Sequence, residues 1–362
     1  MAKRGDVYPA EEITLVDPST GAEYVQMTNA PVHSVNLYFE YQSFTPDDRT
    51  LLFLSQRVAM RGAPYDLFAA DIESKQLRQL SDDEHPFSSP CAKPDEPRML
   101  YGVRGTSIVR MNVDDASDEE VARWEDGRAL GVGMMNGDGR VYVAVGSRAD
   151  GTSTLVRFDL GTGEVRTFLD GIPLYHLTVN HAGTLVTFTG TLNGETGPVI
   201  CDIDGGNARF LSFRGFAHGT FYGTTDLFQG TLLPPGHGVV IWDPNGDQPP
   251  EKVAAGPYFW HSGSSLDGKW IICDTNWPDE GMMLVDVESG RFGPVVIPSE
   301  RGHASGNPQE SHPHPSFDRS GDRIVYASNE TGLSQVYVAT IPGELRQELS
   351  TGNLTNRRRF RT

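Results

Sequence analysis

The sequence predicts an all-β protein: a single closed β-propeller of seven blades, each of about four antiparallel strands, with an N-terminal strand completing the last blade. Three observations predict it. A unit made of an apolar run, a turn bearing Asp or Gly, and further short β-rich runs recurs along the chain. Its turn anchors are Asp48, Asp95, Asp138, Gly183, Asp267 and Gly321. Counting one degenerate unit, they recur at roughly 45 residues, the length of a propeller blade. No segment between them carries a sustained helical period.

The units run in order. Ser43–Leu54 opens the first around Pro46-Asp47-Asp48, followed by runs 65–71 and 76–80. The second passes weakly through 94–103 and 107–113. Val132–Val145, turning at Asn136-Gly137-Asp138-Gly139, begins the third, and 177–188, turning at His181-Ala182-Gly183, the fourth. The fifth starts near His218 without a clean Asp-Gly turn and resumes at Val239–Asp243. Ser264–Asp274 and Ser316–Ala327 open the sixth and seventh with strong β-branched runs behind Asp267-Gly268 and Ser320-Gly321.

Both ends carry half-units. Ile13–Asp17 and Glu23–Met27 flank a Pro18–Gly21 turn and lack the first half of a blade, whereas the seventh unit fades after Ile341. Pairing the two removes an exposed sheet edge. The expected layout is a propeller over 1–344 and a polar, solvated tail over 345–362, ending Arg357-Arg358-Arg359-Phe360-Arg361.

Composition restricts the partners. Of 362 residues, 48 are acidic and 30 basic, a net charge of −18 that argues against nucleic acid. No run approaches a membrane span, so no membrane partner is expected. Cys91, Cys201 and Cys273 are odd in number and widely spaced, which suits a reducing compartment. With no apolar stretch behind the opening Met-Ala-Lys-Arg-Gly-Asp, the expected location is cytoplasmic.

A propeller gathers the segments leading into its innermost strands around a central channel. His33, His218, His261, His312 and His314 each lie near the beginning of a unit, and His176 precedes the fourth. His312 and His314 are two apart, which in extended backbone puts them on one face. With His261 from the preceding unit and the side-chain carbonyl of Gln309, they form a set able to hold a divalent ion and leave positions for water and substrate. Trp260 is read as packing that also borders His261. Paired carboxylates would suggest hydrolysis instead; Asp226 and Asp274 are placed near the channel, and neither has a mate.

The stretch Gln309-x-x-His312-Pro313-His314-Pro315-Ser316-Phe317 resembles the oligogalacturonate lyases, cytoplasmic seven-bladed propellers that cleave short pectin-derived uronides. Ser19–Glu23, Met27-Thr28, His33, Asn36, Tyr38-Phe39 and Phe44-Thr45 extend the likeness diffusely to the other end. The resemblance implies that Gln309, His312, His314 and His261 ligate manganese (Mn2+), that the substrate is a small acidic oligosaccharide, and that His218 is the general base. It also implies an arginine gripping the uronate carboxylate late in the fourth unit. The corresponding strand, Gly197–Asp202, has none; Arg214 nearby and Arg61 in the first-unit loop are the alternatives. The substrate-binding candidates are therefore His33, Arg61, His176, Arg214 and Trp260. The implied reaction is β-elimination leaving an unsaturated uronate. A propeller that binds glycan or protein without catalysis, and a metal-assisted hydrolase or isomerase of a related sugar acid, remain open at this level.

Overall fold

Strands buried on both faces dominate the chain, because each blade packs between two others. The computed structural model describes residues 3–58, 62–172, 174–275, 280–298 and 312–353. Over these residues the strands form seven antiparallel sheets. The first blade contains β1 (Val7–Tyr8), β4 (Ser34–Asn36), β5 (Thr50–Ser55), β6 (Asp66–Asp71) and β7 (Leu77–Gln79). Blades two and three are β8–β11 (Ser88–Ala92, Met99–Arg104, Ser107–Asn112, Asp118–Arg123) and β12–β15 (Ala129–Met135, Val141–Ser147, Ser153–Asp159, Val165–Phe168). Blades four and five are β16–β19 (Leu174–Val179, Leu185–Leu192, Glu195–Asp202, Arg209–Phe210) and β20–β23 (Phe216–Phe221, Phe228–Leu232, Val239–Trp242, Glu251–Ala254). The sixth is β24–β27 (Phe259–Ser264, Trp270–Thr275, Met282–Asp286, Phe292–Val296). The seventh joins β28 (Ser316–Phe317), β29 (Arg323–Ser328) and β30 (Gln335–Thr340) to β3 (Glu23–Gln26) and β2 (Ile13–Val16).

The degree of burial follows the layer. Middle strands such as β25 and β29 have all but one residue buried, most of them apolar. Outer strands such as β11 face water and carry charge. The turn anchors are conformational necessities: Gly183 and Gly321 have φ of 68° and 76°, where a Cβ would meet its own carbonyl.

Closure occurs as the orphan runs predicted. β3 pairs antiparallel with β30 through Tyr24↔Ala339, Val25↔Val338 and Gln26↔Tyr337, so the two ends share the last blade. An additional strand, β1, pairs with the outer edge of the first blade (Val7↔Arg78).

Two local expectations change. The apolar run beginning at Ser43 is not a continuous innermost strand. β4 stops at Asn36, residues 37–42 leave the sheet, and only a single bridge, Phe44↔Leu51, follows. The polar stretch after Ile341 is helical at its start: α1 spans Gly343–Thr351 and ends in left-handed Gly352, whose N–H donates to Glu348 O. Leu345 and Leu349, four apart and thus on one face, are fully buried against β26, β27 and β30. Two leucines in a short charged segment leave too weak a period to read. Leu345→Ala should cost about 2–5 kcal/mol through the cavity it leaves, measured as a lower midpoint in urea with activity per folded molecule unchanged.

Candidate functional site

The innermost strands of blades four, five and six each carry a bulge at one end. Register shifts fall between Tyr175 and Leu177, Ala217 and Thr220, and Phe259 and Ser262. His176 and His218 occupy two of these and adopt φ of 57° and 50°; His314, just ahead of β28, adopts 47°. A bulge leaves its extra residue unpaired in the ladder and re-aims the side chain. Left-handed backbone costs an L-residue on the order of 1–2 kcal/mol, and such strain gathers where a side chain must be presented. His314 is thus bent rather than extended. Its convergence with His312 comes from a pinned turn, not from strand alternation.

The pins are specific. Asn36 donates through Nδ2 to His314 O at 2.7 Å, and Ala327 N–H donates to Pro313 O at 2.9 Å. Asp274, from β25, accepts from His261 N–H at 2.6 Å and from His261 Nδ1 at 2.8 Å, with His314 N–H at 3.4 Å. Ligating atoms of His261, His312 and His314 all lie within 4.8 Å of one another. The Asp274 carboxylate fixes Nδ1–H on His261 and leaves its Nε2 lone pair facing the cluster. The buried Nε2 atoms of His261 and His314 have no hydrogen-bond partner among the described residues. Burial holds both rings well below the usual imidazole pKa, the neighbouring imidazoles adding to it. Neutral, convergent and unsatisfied imidazoles with a carboxylate behind one of them fit a borderline divalent cation. Asp274→Asn should lower metal affinity by about 10–100-fold. An amide cannot accept from both His261 donors as the carboxylate does, so the ring loses its tautomer; a metal-binding isotherm reads the effect.

Around this cluster the segment 37–42 passes through the channel. Tyr38 lies among the rings, 4.8 Å from His314, 5.7 Å from His261 and 6.3 Å from His176, centroid to centroid. Its Oη is 2.9 Å from His218 Nδ1. Burial first, then Glu40 and Asp274, raise the phenol pKa, so Tyr38 stays protonated. The segment is moored across the channel by Tyr41, which donates to Gly133 O at 2.9 Å.

His218 packs 4.2 Å from His261 and 4.6 Å from Trp260. Burial, reinforced by His261, pushes its imidazole pKa down to about 3, so the ring is neutral near pH 7. Trp260 stacks on Tyr258 at 5.5 Å. His176 Nε2 lies 3.1 Å from the buried Glu40 carboxylate. Burial is the largest single influence and opposes charge on His176, but the hydrogen bond to Glu40 and the attraction of its carboxylate together outweigh it, and the pKa rises. Tyr38, Tyr175, His176, Arg214 and His218 line one cleft of about 320 Å³.

The structure therefore brings His176, His218, Trp260, His261, His312 and His314 to one mouth of the channel. Arg214 reaches the same cleft, lying over the Phe210 ring and paired with Glu195. His33 is not among the cleft-lining residues; its Nδ1 accepts Ser334 N–H at 3.3 Å between the first and last blades. Gln309 and Arg61 lie outside the described residues. Asp274 does have a mate, an imidazole rather than a second carboxylate, and Asp226 accepts from Asn180 instead. Glu40, Tyr38 and Asn36 were not read as functional. The available signal was the aromatic and acidic run Tyr38–Tyr41 just ahead of the first unit's start at Ser43, and an Asp closing the run Trp270–Asp274.

Fold and site together define a seven-bladed propeller with a three-histidine cluster suited to a metal ion at one mouth of its channel. The chain is similar in structure to an oligogalacturonate lyase in complex with manganese (TM-score 0.78, 21% identity, 95% of this chain and 100% of that chain). An oligogalacturonate lyase from Vibrio parahaemolyticus is similar to nearly the same degree (0.77, 19%, 94% and 100%). The propeller domain of Cps50 (Swd1) from Myceliophteria thermophila aligns less well (0.54, 10%, 87% and 99%). At these identities the likeness shows the fold, the one the oligogalacturonate lyases have. No protein-family model matches the chain, and no curated protein sequence does.

Proposed function

We propose that this protein is a metal-dependent lyase that cleaves short oligouronides by β-elimination, releasing an unsaturated uronate. The carrying observation is His218, a neutral imidazole in a cleft of about 320 Å³, 4.2 Å from the ring of His261 in the metal-ready cluster. The residues that would hold the ion are His261, His312 and His314, with Gln309 as the expected fourth ligand and manganese as the expected ion. When bound, a divalent cation supplies Lewis-acid neutralisation of a carboxylate.

The remaining chemistry belongs to the chain. The proton on the carbon beside a uronate carboxylate is poorly acidic, so the site must stabilise the negative charge that develops on its removal. His218 accepts that proton through Nε2, which requires Nδ1–H to donate to Tyr38 Oη; the 2.9 Å contact permits this tautomer. A bound uronate's charge beside the ring raises the imidazole's proton affinity, opposing burial. As the C–H bond breaks, its electrons form the double bond, the glycosidic C–O bond opens, and the departing oxygen takes a proton from solvent in the open cleft. His176, held by Glu40, and Arg214 supply positive charge on the substrate side.

The test is an assay for the ultraviolet absorbance of a conjugated uronate, using short galacturonides and glucuronides as substrates. Manganese-loaded protein should produce it and chelator should abolish it. Full activity in protein stripped of divalent metal would remove the metal's role. Saturable oligouronide binding without product would leave a binding module; cleavage without ultraviolet absorbance would identify a hydrolase.

A further inference from the structure

Below the Tyr38–Gln42 segment the channel continues as a second cavity, of about 160 Å³, separated from the histidine cluster by that segment. Glu40, Gln42, Cys91, Asn136, Ser316 and Arg319 are among its lining residues. Arg319 comes from the turn between β28 and β29, at the opposite end of the innermost strands from the histidine mouth. Its side chain makes no ion pair among the described residues, and its Nε is enclosed without a hydrogen-bond partner. Ser316, only 3% exposed, likewise has an unpartnered Oγ on the same cavity. The Gln42 Oε1 is buried and unpartnered in its present orientation, and a half-turn of the amide exchanges it for N–H donors.

The nearby carboxylates are committed elsewhere. Asp48 accepts from the backbone N–H groups of Arg319 at 2.7 Å and Ser320 at 2.9 Å, beyond ion-pair reach of the guanidinium. Asp318 is paired with Arg323 at 2.7 Å. Glu40 holds His176. Arg319 is half-buried with its Nε fully enclosed; taking even part of a guanidinium out of water without a counter-charge is costly, and in a chain of net charge −18 it stands out as a local excess of positive charge. Burial opposes its charge and Asp48 counters only from a distance, yet an arginine stays protonated.

We propose that this lower cavity is a binding site for a small oxyanion, a phosphate-like ion or the carboxylate of a single sugar acid, gripped by Arg319 with Ser316 and Gln42 as additional donors. Planar guanidinium donors suit such an anion. The site is distinct from the histidine cluster and does not depend on it.

Titration calorimetry of the full chain with inorganic phosphate and, separately, with glucuronate tests the proposal. Saturable binding of either probe is expected, weakened by Arg319→Gln by about 10–100-fold, the worth of a charge-assisted hydrogen bond. His312→Ala should bind the probe as the wild type does, because the cluster lies on the other side of the channel segment. Binding of phosphate alone, or of glucuronate alone, identifies the source of the anion. Crystals soaked in selenate give a readout that does not require the variant to fold: an anomalous peak beside the Arg319 guanidinium. No saturable binding of either probe, binding retained within about twofold in folded Arg319→Gln, or a selenate peak only among the histidines would overturn the proposal.

Discussion

Replacing His218 with alanine is expected to slow oligouronide elimination by about 10²–10⁴, the range for a positioned general base. The ring packs only against the neighbouring channel rings, outside the blade cores: it stands half-buried in a cleft at a bulge, and its polar partner Tyr38 is also within reach of the other channel rings. Alanine at φ 50° bears the same strain as histidine. Folding and metal content should therefore be preserved, which separates this variant from one that merely breaks the site. The measurement is unsaturated product released per minute, with elemental analysis on the same sample. If His218→Ala keeps more than about a third of the wild-type rate at saturating metal, far above the loss a general base implies, the proton acceptor is another residue. His176, in the same cleft and tied to Glu40, is then the next to replace.

His312→Ala should lower metal content and rate together. His312 is the ligand to change because it is the half-buried member of the cluster, whereas His261 and His314 are enclosed. Removing His261 would also leave the Asp274 carboxylate without its imidazole partner, a penalty to folding that would obscure the result. A residue that only orients a metal-ligating imidazole is typically worth about 10–100-fold in affinity, and a direct ligand should exceed that. Protein prepared without chelator should carry clearly less divalent metal than the wild type, and added manganese should restore part of the rate. A variant with full metal content and normal rate would place the ion elsewhere.

The two variants divide the site along its physical seam. On one side, Asp274 and Asn36 hold the imidazoles that would carry the ion; on the other, Tyr38 and Glu40 orient the rings facing the cleft. The segment 37–42 is common to both, because breaking the first blade's innermost strand after Asn36 sends Tyr38 and Glu40 into the channel.

The sequence by itself determined the blades and their closure. Burial between neighbouring blades makes the middle strands predominantly apolar, turns at Gly183 and Gly321 require left-handed backbone, and the half-blade at 13–27 has one sheet edge to complete. These are local or nearest-neighbour demands, so they leave a periodic record. The histidines were legible as residue types at the start of units, but their meeting was not, since it depends on closing the ring and on bulges whose register is set by the partner strand. Tertiary structure alone made Asp274 the partner of His261, placed Glu40 against His176 from a different blade, left His33 among backbone groups between blades, and docked Leu345 and Leu349 as a helix where the local composition reads as a polar tail. A pairing across the channel leaves no spacing in the chain, because the distance that matters is measured through the ring and not along the backbone.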